Sequence, residues 1–186
     1  MLDEKRFRER ATRELRAIGS QVQGLITDRE LYRRLEKEVV QANSELAGNS
    51  NAFLDFLRGA YADATTMRLR RLLASEASLS LRRTIVRLSD YPELLHQKVN
   101  TREIAEDAAA LDTMASHLKV QVEPHFIAHE RTTGALAPTL RELDRAVELV
   151  TETLKKYYWV LCEGYLDLDA KFSGDPLEVF RKAWVK

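Results

Sequence analysis

The sequence predicts an all-α protein, an up-and-down bundle of four to five long helices with short extra helices. Only 7 of its 186 residues are Gly and 4 are Pro, so the turn signals that a many-stranded β protein needs are scarce. Ala, Leu, Glu and Arg, which are strong helix formers, dominate the composition. Apolar residues make up 45% of the chain and recur at spacings of three and four in several long segments.

The first part of the chain predicts two helices separated by a break. The first helix, about residues 3–18, carries one narrow apolar stripe at helical spacing, formed by Phe7, Ala11, Leu15 and Ile18. Gly19 and Gly24 bracket the predicted break. Thr27 followed by Glu30 has the spacing of a capping box, which predicts that the second helix begins there.

The third predicted helix is the most apolar of the first half. Its apolar residues occur on a wide face, at Phe53, Phe56, Leu57, Ala60, Tyr61, Ala64, Met67, Leu69, Leu72 and Leu73. So wide a face indicates a helix in the centre of the bundle. A shorter helix is predicted at about residues 80–88, with Leu81, Ile85 and Leu88 facing inward, and Pro92 falls in the next connection.

Two further helices are predicted in the second half. The fourth begins at Asn100, with Glu103 three residues later, and runs to Pro124, where the proline should kink or end it. Residues 125–130 could add one turn. The fifth begins with the capping box of Thr139 and Glu142 and continues to about residue 161.

The organisation predicted from these elements is a single domain over residues 1–186. Its core covers about residues 27–165, residues 1–24 form an N-terminal helix, and residues 166–186 form a C-terminal extension. A short docking helix with Phe180 and Trp184 is expected after Pro176 in this extension.

Charge and cysteine content limit the function classes. Lys plus Arg and Asp plus Glu both number 29, so attraction of the whole chain to nucleic acid or an anionic membrane is not indicated. With Cys162 as its one cysteine, the chain can form no internal disulfide. The N-terminus has no apolar leader, and no apolar run approaches the roughly 20 residues that span a bilayer. We therefore expect a cytoplasmic protein without membrane contact.

The segment around His125 and His129 is the densest chemical cluster, and three interpretations stay open. The two imidazoles are four residues apart and could chelate a metal, but Phe126 stands where a zinc protease needs Glu. Alternatively, a histidine could transfer a proton while Arg131 steadies phosphate charge. The third interpretation is structural, with both histidines satisfying backbone groups at a helix end.

Two other clusters carry alternatives. Arg68, Arg70, Arg71, Arg82, Arg83 and Arg87 form a basic stretch. Because Arg68 and Arg71 are three residues apart on a helix, they could hold a phosphate together; alternatively, the stretch is a solvated face paired with acids from neighbouring helices. The aromatic run 157–159 could stack bases, but is more often core. Cys162 is interpreted as a buried small side chain rather than a nucleophile.

Four segments, in order, resemble the AbiU-type abortive-infection proteins, a branch of the HEPN superfamily of helical bundles. They are Ser-Leu-Ser-Leu at 78–81, Val-Glu-Pro-His-Phe-Ile-Ala-His-Glu at 122–130, Pro-Thr-Leu-Arg-Glu-Leu-Asp at 138–144, and Lys-Tyr-Tyr-Trp-Val-Leu at 156–161. The resemblance covers roughly residues 52–161. It implies an α bundle that dimerises and, in many members, a metal-independent ribonuclease of phage defence.

The resemblance also implies where an active site would lie. The family signature is an Arg followed, after four to six residues, by a His that His129 matches. The corresponding upstream positions hold Pro124, Glu123 and Val122, so the signature arginine is absent and enzymatic activity stays open. We expect a homodimer without cofactor or metal that binds RNA or a partner protein. The alternative is an endoribonuclease with His129 as acid–base at the dimer interface, assisted by His125 and Arg131.

Overall fold

The computed structural model describes residues 2–42, 52–74, 77, 79–95, 99–127, 138–175 and 177–178, with the backbone alone at 2, 3, 39, 42 and 119–127. Within these ranges there are five helices, a short 3₁₀ turn and no strand, so the predicted all-α class is confirmed. The helices are α1 (Leu2–Ala42), α2 (Ala52–Leu73), α3 (Leu81–Leu88), α4 (Thr101–Ile127) and α5 (Leu140–Cys162), and the turn is Pro92–Leu94. None of these helices is long and apolar enough to cross a membrane.

The predicted break near Gly19 and Gly24 is wrong, because α1 is one continuous helix of 41 residues. Gly19 makes room for a side chain from a distant part of the chain, whereas Gly24 lies in a helix interior where a Cβ would fit. A Cβ at Gly19 would lie 2.9 Å from Cδ2 of Leu166, and one at Gly24 would lie 3.6 Å from Nη1 of Arg68. Gly19 therefore reflects tertiary packing against the helix, and neither glycine marks a helix end.

The capping box predicted at Thr27 and Glu30 is wrong for the same reason, since both residues lie inside α1. The Thr27 hydroxyl accepts a hydrogen bond from the backbone N–H of Lys171 at 3.2 Å. The Glu30 carboxylate accepts one from Arg34, one turn further along, at 2.8 Å. Residues 1–24 are thus not a separate helix.

Helix α1 runs antiparallel to α5. Near the start of α1, Arg8 donates a hydrogen bond to the carbonyl of Leu161 at the end of α5, at 3.0 Å. Further along α1, Arg33 lies 2.7 Å from Asp144, close to the start of α5. As the residue number rises along α1, the number of the contacted residue falls along α5, so the two helices run in opposite directions.

Helices α2 and α4 continue this alternation. Arg58 and Tyr61 of α2 contact Glu36 and Tyr32 of α1, by an ion pair of 3.2 Å and a ring stack of 4.6 Å. Later in α2, Arg68 pairs with Asp28, which lies earlier in α1. Helix α2 also packs against α4. Helix α4 is antiparallel to α5, because Asp107 contacts Lys156 whereas the later His117 contacts the earlier Glu142.

The short helix α3 contacts all four long helices. Its N-terminus is capped by Ser80, whose hydroxyl accepts from the N–H of Arg83 at 3.2 Å. The predicted inward residues Leu81, Ile85 and Leu88 are fully buried, which confirms that prediction. They join the shared core formed by the inner faces of the long helices.

The capping signals of the second half are largely confirmed. In α5, the Thr139 hydroxyl accepts from the N–H of Glu142, whose carboxylate accepts from the Thr139 N–H at 2.7 Å. Asn100 caps α4 by accepting from the N–H of Arg102 at 3.0 Å. Pro124 does not end α4, which continues by three residues to Ile127, as the expected further turn requires.

The chain reverses after α5 and returns along α1. Glu163 adopts a left-handed conformation with φ 52°, which ends the helix. Leu166 then packs at Gly19, and Gln23 donates to the carbonyl of Asp169 at 3.2 Å. The C-terminal extension is therefore attached to α1 as far as the structure describes it, and the predicted docking helix with Phe180 and Trp184 lies outside the described residues.

Candidate functional site

The predicted catalytic residues fall at the edge of the described chain. His125 belongs to the last turn of α4, where only the backbone is described, at the end of the bundle where α5 begins. His129 and Arg131 lie outside the described residues. The ribonuclease alternative therefore stays a prediction from the sequence.

A different histidine, His117, forms a described contact near this end of the bundle. Its Nε2 lies 3.1 Å from Oε1 of Glu142, while the other carboxylate oxygen of Glu142 accepts from the N–H and hydroxyl of Thr139 at 2.7 and 2.8 Å. One carboxylate thus caps α5 and joins it to α4. No local pattern marks His117, because the residue that faces it is 25 positions away.

The basic stretch is divided between α2 and α3, and acids of other helices neutralise much of it. Arg68 pairs with Asp28 of α1. Arg82 lies 2.8 Å from Asp112 of α4. Arg87 lies 3.3 Å from Glu14 of α1 in the same way. The interpretation of a solvated face paired with neighbouring acids describes these three arginines.

Arg68 and Arg71, the proposed phosphate-binding pair, are both exposed on α2. They differ in their partners, since Arg71 forms no ion pair with any described residue, whereas Arg68 is engaged by Asp28. A phosphate on this pair would have to compete with the Asp28 carboxylate. The geometry therefore weakens the case for a phosphate site built on both.

The aromatic run near the end of α5 is part of the core, as its structural interpretation predicted. Tyr157 is 0% exposed, and its hydroxyl donates to Asp107 at 2.8 Å. The ammonium of Lys156 lies 2.7 Å from Asp107 and 2.5 Å from Glu103. Burial and the hydrogen bond to a carboxylate raise the pKa of Tyr157 far above its ordinary value. This network fixes α4 to α5 and leaves Tyr157 unavailable for stacking on a base.

Cys162 lies half-buried at the end of α5, as expected for a packing residue. Its sulfur is 3.5 Å from the hydroxyl oxygen of Thr12 on α1. This contact again places the end of α5 beside the first turns of α1.

Helix α2 differs most from expectation. It does not lie in the centre of the bundle, because only one of its faces is buried, at Leu54, Ala62, Thr65, Thr66, Leu69, Leu72 and Leu73. A second apolar face is exposed to solvent. This exposed stripe consists of Phe53, Phe56, Ala60, Ala64 and Met67. The sequence contained the signal, since the apolar residues of this helix occur around much of its circumference, whereas only one face is buried.

A second feature that sequence reasoning missed is a row of arginines on the first turns of α1. Arg8, Arg13 and Arg16 line an open cleft together with Glu9 and Thr12. Their own helix mixes both charge signs, which hid the row in the sequence. In the described part of the chain, no group of three or more His, Cys, Asp or Glu side chains could hold a metal ion.

Comparisons with protein-family models, curated proteins and solved structures found no match to this chain. The resemblance to the abortive-infection proteins therefore rests on the four sequence segments alone.

Proposed function

We propose that this chain is a HEPN-like cytoplasmic protein of the abortive-infection type, and that it acts as an interaction module by forming a homodimer through the exposed stripe of α2. The observation that carries the association is the exposed stripe itself. The family assignment is supported by the resemblance over residues 52–161.

The stripe is large and apolar. Phe53, Phe56 and Met67 are 48%, 69% and 50% exposed, and Ala60 and Ala64 are exposed between them. Soluble monomers rarely leave contiguous apolar patches in water, and such patches mark interaction surfaces. Covering three large apolar side chains would favour association, because each contributes on the order of 1 kcal/mol when half of its surface leaves water.

The pattern of the stripe suits a second copy of the same helix. The face that carries the stripe also presents Asp63, Arg71 and Ala74. Its exposed positions 53, 56, 60, 63, 64, 67, 71 and 74 are symmetric about the midpoint between Asp63 and Ala64. If a two-fold axis passes through that midpoint, the two α2 helices are antiparallel and residues whose numbers sum to 127 lie opposite each other. A two-fold interface needs this kind of self-complementary surface.

Side-chain size is complementary in this register. Phe53 of one copy lies opposite Ala74 of the other, and Ala60 lies opposite Met67, so that a large side chain meets a small one in each case. Arg71, which has no described ion-pair partner, lies opposite Phe56, where a guanidinium can stack on the ring. Ala60 and Ala64 leave room for a close approach of the two helices, while Asp63 of each copy lies beside the axis.

The test is the oligomeric state of a double variant, Phe56→Glu with Met67→Glu. We expect the unmodified chain to sediment as a dimer at micromolar concentrations and the variant as a monomer. The variant loses the apolar contacts of Phe56 and Met67, and it adds four carboxylates to an interface that already holds Asp63 of each copy at its axis. Both residues are exposed, so far-ultraviolet circular dichroism should show unchanged helix content.

Val86→Glu is the control, since Val86 is an exposed apolar residue on α3 and not part of the stripe. It should leave the dimer intact. A monomeric unmodified chain, or a double variant that still sediments as a dimer, would contradict the proposal.

A further inference from the structure

The segment that returns along α1 after α5 has a burial pattern with a period of two residues. Over residues 165–172, which we call the strap, every second side chain is buried or half-buried and the others are exposed. The inward residues are Leu166, Leu168, Ala170 and Phe172, and the outward residues are Tyr165, Asp167, Asp169 and Lys171. This alternation is the geometry of an extended chain with one apolar face. The strap therefore lies as an extended peptide on helices, with no strand among the described residues.

Helix α1 binds the main chain of the strap through two side chains one turn apart. Gln23 donates hydrogen bonds to the carbonyls of Asp167 and Asp169, at 3.5 and 3.2 Å. The hydroxyl of Thr27 accepts one from the N–H of Lys171 at 3.2 Å. These bonds use backbone groups that nearly every residue carries, so they are available to any extended peptide in the same position.

The inward leucines supply the side-chain contacts. A Cβ on Gly19 would lie 2.9 Å from Cδ2 of Leu166 and 3.9 Å from Cδ2 of Leu154 on α5. The missing side chain of the glycine thus leaves a seat for one leucine between the two helices. Two residues later, Leu168 is 5% exposed and belongs to the core. A segment that fits this groove therefore needs apolar side chains at alternate positions.

The strap does not fill the groove between α1 and α5. A cleft of about 410 Å³ remains beside it, lined by Ile26 of α1, by Thr151 and Lys155 of α5 and by the two inward leucines, among others. This volume lies in the range of binding sites rather than of packing defects. A peptide with larger inward side chains would bury more apolar surface here than the strap does, and this would favour its binding.

The strap can leave the groove without unfolding of the helices. Its hydrogen bonds to α1 are exposed, so release exchanges them for bonds to water at little net cost. Its far end is held by the ring of Phe172, whose centroid lies 4.9 Å from the guanidinium carbon of Arg34. The strap follows directly after Glu163 and Gly164, where α5 ends, and rotation about these two residues moves the strap while α5 stays in place.

We propose that the groove between α1 and α5 binds an extended peptide of a partner protein, and that the strap occupies this groove as an autoinhibitory segment. The partner peptide carries apolar side chains at alternate positions, as the strap does, and it displaces the strap when it binds. Because only chains with a released strap can bind, the strap lowers the apparent affinity in proportion to the released fraction. The inference uses α1 and α5, so it does not rest on the dimer through the exposed stripe of α2.

The test measures binding of a fluorescent peptide with the sequence of residues 164–173 to the full chain, by anisotropy. The double variant Leu166→Ser with Leu168→Ser weakens the competing strap and leaves the α1 and α5 walls of the groove unchanged. We expect this variant to bind the peptide about tenfold more tightly than the unmodified chain does, or more. The same peptide with serine at both leucine positions should bind to neither.

Tyr165→Ser with Asp169→Ser is the matched control, since it places two serines at outward positions of the strap. It should bind the peptide no more tightly than the unmodified chain. Gly19→Leu, added to the leucine double variant, fills the seat of Leu166 with a side chain of α1 itself and should remove the gain in affinity.

Hydrogen exchange gives a readout that needs no substitution. Saturating peptide should displace the strap of the unmodified chain and speed exchange of the Lys171 amide, which is bonded to Thr27. The serine peptide should leave this exchange unchanged. If far-ultraviolet circular dichroism shows that the leucine double variant is unfolded, this measurement decides alone.

Three results would overturn the proposal. They are no peptide binding to the folded leucine double variant, an equal gain in the control, and exchange of the Lys171 amide that the peptide leaves unchanged. A dimer that persists in the Phe56→Glu, Met67→Glu variant and is lost when both strap leucines are also replaced would identify the strap of a second copy as the occupant. That result would overturn the assignment of the groove to a separate partner.

Discussion

Gly24→Ala tests whether α1 is continuous. Gly24 lies inside this helix, and a Cβ there would meet only Nη1 of Arg68, at an ordinary contact distance of 3.6 Å. Glycine in a helix interior costs about 0.5–1 kcal/mol relative to alanine. The substitution should therefore raise the free energy of unfolding by about that amount, which for a chain of this size shifts Tm upward by roughly 1–4 °C.

Gly19→Ala is the matched comparison. It gains the same helix propensity, but its Cβ would lie 2.9 Å from Cδ2 of Leu166, so the leucine must move. Overfilling a packed site costs about 1–3 kcal/mol, which outweighs the propensity gain. We therefore expect Gly19→Ala to be neutral or destabilising. In a Leu166→Ala background, where the obstructing methyl groups are gone, it should stabilise as Gly24→Ala does.

The assay is urea unfolding followed by far-ultraviolet circular dichroism, with all variants measured together as a double-mutant cycle. The decisive value is the sign of the change at Gly24. A loss of stability there would mean that this glycine occupies a turn, as the sequence predicted, and the account of a continuous α1 would be refuted. A gain at Gly19 equal to that at Gly24 would instead refute the packing of Leu166 against it.

Two further predictions concern α5. Tyr157→Phe removes the hydrogen bond to the Asp107 carboxylate and should cost about 1.5–3 kcal/mol at neutral pH. Because the folded-state pKa of Tyr157 is raised, its contribution is complete below the unfolded pKa of about 10 and is lost as the pH rises above it. The free energy of unfolding in urea should therefore decrease more steeply between neutral and alkaline pH for the unmodified chain than for the variant. Parallel decreases would contradict this. Thr139→Ala breaks the capping box with Glu142 and should cost about 1 kcal/mol, whereas Thr113→Ala, which removes a hydroxyl bonded within the middle of α4, should cost little. Thermal unfolding compares the two, and equal losses would mean that the cap is not formed.

Local signals were sufficient where the physical cause is local. The start of α5 follows from Thr139 and Glu142, three residues apart, and the inward face of α3 follows from the spacing of Leu81, Ile85 and Leu88. These features depend on backbone groups and side chains within one or two turns of each other. A sequence therefore displays them directly.

The failures share a different cause, which is contact with distant residues. Gly19 resembles a helix break until Leu166, 147 positions later, occupies the space above it. The arginines of α2 and α3 resemble a phosphate-binding run until Asp28 and Asp112 approach from other helices. No local pattern shows which distant side chain will contact a given residue in the folded protein. Ion pairing in particular depends on how the helices are packed together.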